Sequence, residues 1–377
     1  MGPEGPSPAL IEDGRFFLPG PTEVHASVLQ AQSRPLISHR GSEMQGLWAR
    51  LQEGMQGVLG TSRPVWISTS SATAMMEAAV RASGAERVLC LIAGAFSRRF
   101  ARIAEASGIL VERLEVEPHQ AHAPDEVAES VARVGPDLVT MVHCETSTGV
   151  LNPVADLAAA IRRESDALIV ADSVSGAGGL PVHPEAWGVD FFLTGSQKAL
   201  AVPPGLAFGV VSPRFVDRAR QNPARGLYLD PLVHLEAQRE RGGPMTTPAI
   251  SCLFALAVQL DRMESEGLEE RFKRHREMQA DVTDWMRHLR SSGLEVERVA
   301  ADPFASPTVS VLRLPPRLDS DAVVRELAPS GYAVGRGYGE WRDGQIRIGH
   351  MGDHTRAGLG GLLEALTPAF RSPGSTA

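Results

Sequence analysis

Leu138-Val139-Thr140-Met141-Val142-His143, then the segment from Val154 to Glu164, then Ala167-Leu168-Ile169-Val170-Ala171-Asp172 decide the fold class of this chain. The first and last runs are short and almost wholly apolar, while the segment between them is amphipathic with helical spacing. Buried strands joined by helices build a largely parallel sheet, because a parallel crossover needs a dozen or more residues and puts a helix over the sheet face.

The same alternation extends in both directions. Before this unit, the spacing predicts a helix from Ser71 to about Ala82, an apolar strand from Val88 to Ile92 and a helix from about Phe96 to Ser107. A strand from Leu110 to Val116 and a helix near Pro124 to Val134 follow. After it, Phe191 to Leu193 and Leu206 to Val211 read as strands. Beyond about residue 250 the texture changes. A helical segment from Ile250 to Met263 leads into a long charged helix, Leu268 to Arg290. Then come a strand (Thr308 to Leu314), a helix (Ser320 to Leu327), a strand (Gln345 to Ile348) and a last helix (Thr355 to Leu366). The expected organisation is a flexible N-terminal tail over 1–15, a large α/β domain over 16–255 and a small α+β domain over 256–370. Residues from Arg371 onward read as a frayed end.

Composition narrows the function classes. The chain has 377 residues, enough for one large domain and a smaller one, and 43% of them are hydrophobic. A formal net charge of −8, with no Lys/Arg block, argues against a nucleic-acid partner. The Pro- and Gly-rich start lacks the basic and apolar regions of a secretory signal, and Pro6 breaks the myristoylation pattern. No apolar run approaches the 18 or so residues of a membrane span. Cys90, Cys144 and Cys252 form neither a CxxC pair nor a metal cluster, which fits a reducing compartment; a cytoplasmic location and no metal are expected.

Ligands of open α/β sheets bind at the carboxyl ends of the strands, and four positions there carry unusual chemistry. Ser70-Ser71-Ala72-Thr73 opens a helix, where hydroxyls and free N–H groups either hold a phosphate or cap the helix. Asp172 leaves an apolar strand and either holds a protonated ring nitrogen or caps the following loop. Lys198, in Thr194-Gly195-Ser196-Gln197-Lys198-Ala199-Leu200, is either a loop lysine on the surface or a desolvated, nucleophilic amine. Arg347, amid Ile346 and Ile348, either grips a carboxylate with two hydrogen bonds or faces outward from a half-buried strand.

Taken together, these windows resemble the class V (fold type I) aminotransferases that depend on pyridoxal 5′-phosphate, and among them the alanine–glyoxylate and serine–pyruvate (serine–glyoxylate) group. The resemblance runs from about residue 16 to residue 366. It is carried by Leu18-Pro19-Gly20-Pro21-Thr22, by His143-Cys144-Glu145-Thr146-Ser147-Thr148-Gly149, by Asp172-Ser173-Val174-Ser175, by Ser196-Gln197-Lys198-Ala199-Leu200 with Pro203-Pro204-Gly205, and by Arg347-Ile348-Gly349-His350-Met351-Gly352, in the family's order.

The resemblance implies a transaminase that moves an amino group from alanine or serine to glyoxylate or pyruvate. It implies that Lys198 carries the cofactor as a Schiff base and shuttles a proton, and that Asp172 keeps the pyridine nitrogen protonated. Ser71, Ala72, Thr73 and Gln197 would hold the phosphate, Phe96 would stack on the ring, and Thr146 would bond near the ring's 3-oxygen. Arg347 would bind the α-carboxylate, with Gly20 of the entry segment beside the substrate. Thr247, in Met245-Thr246-Thr247-Pro248, would complete the phosphate site of a neighbouring subunit, which implies a homodimer with shared active sites. This chain departs from the pattern at Ala72, where the family often has Gly, and at Pro244, where some relatives carry Tyr. His39 and Arg40 either stand near the substrate entrance or form a loop salt bridge. An aspartate or 2-aminoethylphosphonate transaminase is the alternative within the class, and a non-catalytic cofactor-binding protein the alternative outside it. A cysteine desulfurase is disfavoured, because Gln197 stands where those enzymes have His and no cysteine follows Cys252.

Overall fold

The computed structural model describes residues 14–371. Residues 1–13 of the expected tail, and the expected frayed end beyond Arg371, lie outside the described residues.

Seven strands form the main sheet, in the order Val65–Ser68, Ala207–Val211, Phe191–Gly195, Leu168–Asp172, Leu138–Val142, Arg87–Ile92, Leu110–Glu115. All neighbours pair parallel except Ala207–Val211, which runs antiparallel to both strands beside it. The physical cause of the apolar runs is now visible. Val139, Met141, Ile169 and Ala171 enter one buried cluster, and Leu138, Val142, Leu168 and Val170 enter another on the opposite face. A strand covered on both faces must be apolar at every position rather than at alternate ones. Each such aliphatic side chain, fully buried, contributes about 1.5–3 kcal/mol.

Helices cover both faces. Ala72–Ala82, Ala95–Ala106, Pro124–Val134 and Val154–Glu164 fall where their spacing predicts. Helices at Ala26–Ala31, Ser42–Val58, Pro213–Gln221 and Pro231–Arg241 add to the sequence reading. Ser42–Val58 buries Met44, Trp48, Leu51, Met55 and Val58, a stripe of three- and four-residue steps that is plain once the helix is known.

A second sheet of five strands runs Phe16–Phe17, Ala333–Arg336, Gln345–Gly349, Val309–Arg313, Glu297–Arg298. Its strands pair antiparallel, except that Phe16–Phe17 lies parallel to Ala333–Arg336. Buried residues of Leu268–Ser291, Ser320–Leu327 and Arg356–Arg371 share one core with Phe17, Ile346 and Ile348. The last helix runs past the expected Leu366 to Arg371, through Pro368. The architecture is a mostly parallel sheet flanked by helices with a smaller α+β part, the fold class expected from the sequence. Among the described residues, no helix is long and apolar enough to cross a membrane.

Candidate active site

Because Leu138–Val142, Leu168–Asp172 and Phe191–Gly195 run parallel, their carboxyl ends lie at one edge of the sheet. A cavity of about 280 Å³ opens there. Its wall brings together Gly20, Ser71, Ala72, Thr73, Phe96 and Thr146 with Asp172, Gln197 and Lys198, drawn from segments far apart in sequence.

Lys198 is buried in the turn that follows Phe191–Gly195. That turn is tied by Ser196 Oγ donating to the Pro203 carbonyl at 2.8 Å and by the Ala201 amide donating to the Lys198 carbonyl at 2.8 Å. The amine donates to the Pro19 carbonyl of the entry segment, which is itself held by the Thr22 amide on the Gln197 carbonyl at 2.9 Å. Burial, and then the nearby Arg347 guanidinium, lower the Lys198 amine to about 8. A neutral, nucleophilic amine is therefore accessible near neutral pH. Gly20 has φ +115°, and a Cβ there would run into the Lys198 side chain. Only glycine fits both the backbone and the space.

Asp172 ends its strand inside the protein. Oδ1 accepts the Val174 amide at 2.7 Å, and no donor among the described residues reaches Oδ2. Desolvation pushes its carboxyl up to about 7, partly offset by that amide. A buried carboxyl with one oxygen uncommitted suits a cationic N–H partner, whose charge would restore the ionised form.

Ser71 stands at the N-cap position of Ala72–Ala82 but makes no side-chain capping bond, so its hydroxyl is free for a ligand. Ala72 poses no backbone conflict, since Ala201 is the only non-glycine with positive φ among the described residues. Thr146 is buried and pairs with Ser175, Oγ to Oγ at 2.5 Å. Phe96 opens the helix Ala95–Ala106, whose first amides donate to the buried Glu145: Phe96 N–H to Oε1 at 3.2 Å and Ser97 N–H to Oε2 at 2.9 Å.

Four expected residues stand apart from this wall. Arg347 lies at its edge, half-buried, with Nε donating to the Arg336 carbonyl at 2.7 Å and its guanidinium 5.4 Å from the Tyr338 ring centre. It is close enough for its charge to lower the Lys198 amine. Thr247 is exposed on the same chain, 3.5 Å from His39 Nε2, and does not line the cavity. Arg40 donates to His39 at 3.1 Å, so these two form neither the expected salt bridge nor part of the wall.

Other residues escaped the sequence reading. Arg99, Cys144 and Ser175 line the cavity. Tyr338, from the connection between strands Ala333–Arg336 and Gln345–Gly349, places its ring 5.1 Å from that of Phe96, tilted by 31°. Arg99 carried a usable signal: it follows Phe96 by three positions on one helix and so shares its face. Tyr338 carried none.

Residues 25–334 match the family model described as aminotransferase class-V. The chain belongs to the class V aminotransferases. An uncharacterized aminotransferase of Methanocaldococcus jannaschii is 34% identical over 346 residues, covering 89% of this chain and 87% of that one. The L-aspartate–glyoxylate aminotransferase of Paracoccus denitrificans is 30% identical over 373 residues, covering 94% and 91%. Among solved structures, an aspartate aminotransferase of subgroup IV from Thermus thermophilus superposes with a TM-score of 0.86 at 31% identity, covering 95% of this chain and 99% of that one. This class V aminotransferase is thus an enzyme that transfers amino groups, in a family dependent on pyridoxal phosphate.

Proposed function

We propose that this aminotransferase moves the amino group of a small L-amino acid, alanine or serine, to glyoxylate or pyruvate, with pyridoxal 5′-phosphate held in the cavity of Lys198 and Asp172. The observation that carries this reading is that one cavity wall holds both a buried amine lowered to about 8 and a buried carboxyl raised to about 7. The bound cofactor supplies an electron-withdrawing ring that stabilises negative charge at the substrate Cα.

Each side chain then has a task its chemistry suits. Lys198 would hold the cofactor through its amine and would move a proton at the substrate Cα. Asp172 keeps the ring nitrogen protonated. Ser71, Ala72, Thr73 and Gln197 would hold the phosphate at a helix start, Phe96 would stack on the ring and Thr146 would bond near its 3-oxygen. Arg347 binds the α-carboxylate, and Gly20 leaves room beside the amine. Thr247, exposed on its own chain, completes the phosphate site of a second copy in a homodimer, which also buries the exposed Leu29, Leu36, Leu227 and Tyr228. Two buried free thiols, Cys90 and Cys144, support a cytoplasmic setting. The chain divides into a large cofactor-binding part and a small part. The break proposed from sequence, after residue 255, lies within helix Ile250–Glu266. Aspartate as donor is the second reading, favoured by the names of the relatives from Paracoccus and Thermus.

A visible absorption spectrum with single additions of amino acids tests the proposal. The purified protein is expected to be yellow, to bleach with alanine or serine and to recover with glyoxylate or pyruvate. Bleaching by aspartate alone would establish the second reading. A yellow protein that no α-amino acid bleaches would overturn both, in favour of an aminophosphonate donor or a non-catalytic binder. Uptake of cofactor by the stripped protein is expected to quicken with pH up to about 8, as the Lys198 amine loses its proton, and to vanish in Lys198→Ala.

A further inference from the structure

We infer that Arg99 is the counter-cation of the cofactor phosphate; this rests on the pyridoxal-phosphate reading above. A phosphate ester carries a charge of about −1.5 to −2 at neutral pH, and enclosing it without a cation is costly. Ser71, Thr73 and Gln197 are neutral donors. Among the described residues lining the cavity, the cations are Lys198 and Arg99. Lys198 is committed to the ring end, which leaves Arg99.

Its geometry suits the task. Arg99 Nη1 donates to Thr73 Oγ1 at 3.0 Å, at the start of helix Ala72–Ala82. The guanidinium lies 4.9 Å from the Phe96 ring centre, and Nη2 is 3.5 Å from the Tyr338 hydroxyl. The first contact uses a lone pair of Thr73 and frees its hydroxyl proton for an acceptor in the cavity. These bonds leave further N–H groups of the five-donor fork available. Among the described residues Arg99 makes no ion pair, although its charge is felt by the buried Asp172. Its neighbour Arg98 pairs with Glu115 at 2.9 Å and Glu340 at 3.3 Å. The outer groove beyond Thr73 offers one carboxylate, Glu77, which pairs with Arg81 at 3.4 Å. A guanidinium held in place on two hydroxyls and one aromatic ring, with no ion-pair partner among the described residues, is prepared for an anion that arrives.

The test is phosphate discrimination by the full chain. Cofactor-stripped protein is titrated with pyridoxal phosphate and with pyridoxal, following the visible band. The unaltered protein is expected to prefer the phosphorylated form. Arg99→Gln is expected to weaken pyridoxal phosphate about tenfold to a hundredfold and to leave pyridoxal unchanged. Arg99→Met carries the same expectation should Arg99→Gln fail to fold. An undiminished preference in the substituted protein would overturn the inference. So would a loss confined to dicarboxylate donors such as aspartate, which would reassign Arg99 to the substrate. Absence of any preference in the unaltered protein would instead undo the cofactor reading itself.

Discussion

At the scale of the residue, Asp172 shows how burial prepares chemistry at a cost to the empty fold. Its carboxyl, raised to about 7 by desolvation, ionises in the unfolded chain near the ordinary carboxylate value. The folded state therefore binds the proton more tightly, and stability falls as pH rises from about 4 to 7. Asp172→Asn keeps an acceptor for the Val174 amide and removes the charge. The cofactor-free variant is expected to melt higher than the parent at pH 8, with the advantage gone by about pH 4, while turnover drops sharply because the ring nitrogen loses its anion. Equal melting curves at both pH values would contradict this account. Lys198 and Asp172 were legible in sequence because each lies at or just beyond the end of an apolar strand, where the chain must turn and a polar group must find a purpose. Arg347 was legible as chemistry but not as position, since a strand alternates faces and only packing says which face meets the cavity.

At the scale of the element, the helix Ala95–Ala106 carries Phe96 and Arg99 to the site, and its entry depends on one carboxylate. Glu145, fully buried, accepts from the Phe96 and Ser97 amides and from the hydroxyls of Ser97 at 2.9 Å and Ser147 at 2.5 Å. A negative group at a helix start is favoured by the helix dipole and satisfies amides that lack partners within the helix. Glu145→Ala leaves those donors unpaired inside the protein, at about 1–3 kcal/mol each. Denaturant unfolding should register a loss of several kcal/mol, and cofactor affinity should fall as Phe96 loosens. A loss below about 1 kcal/mol would mean that water replaces the carboxylate. The helix itself was readable from spacing; its capping residue was not, because Glu145 lies 48 residues from Ser97.

At the scale of the whole molecule, the two sheets are joined by buried charge. Leu268–Ser291 reads in sequence as a long charged helix, yet it buries Arg271, Arg274 and His275. Arg271 donates to Asp353 at 2.9 Å, to Glu266 at 2.8 Å, and to the carbonyls of Gly178 at 2.9 Å and Ala199 at 2.8 Å, the last beside Lys198. Arg271→Ala strips a cation from two buried carboxylates and is expected to cost about 3–5 kcal/mol. Arg356→Ala removes an exposed pair with Asp281 and should cost no more than about 1 kcal/mol. Comparable losses for the two variants in urea unfolding would remove the distinction. The sequence by itself determined the order of most strands and helices, the strand ends where reactive groups emerge and the family, since all of these follow from local periodicity and short contiguous motifs. Only the tertiary structure decided that the Lys198 amine meets Pro19, 179 residues away, that Arg99 reaches Thr73, and that Tyr338 closes on Phe96. Such contacts depend on strand order and on how one sheet docks against the other, and neither is encoded in any single stretch of chain.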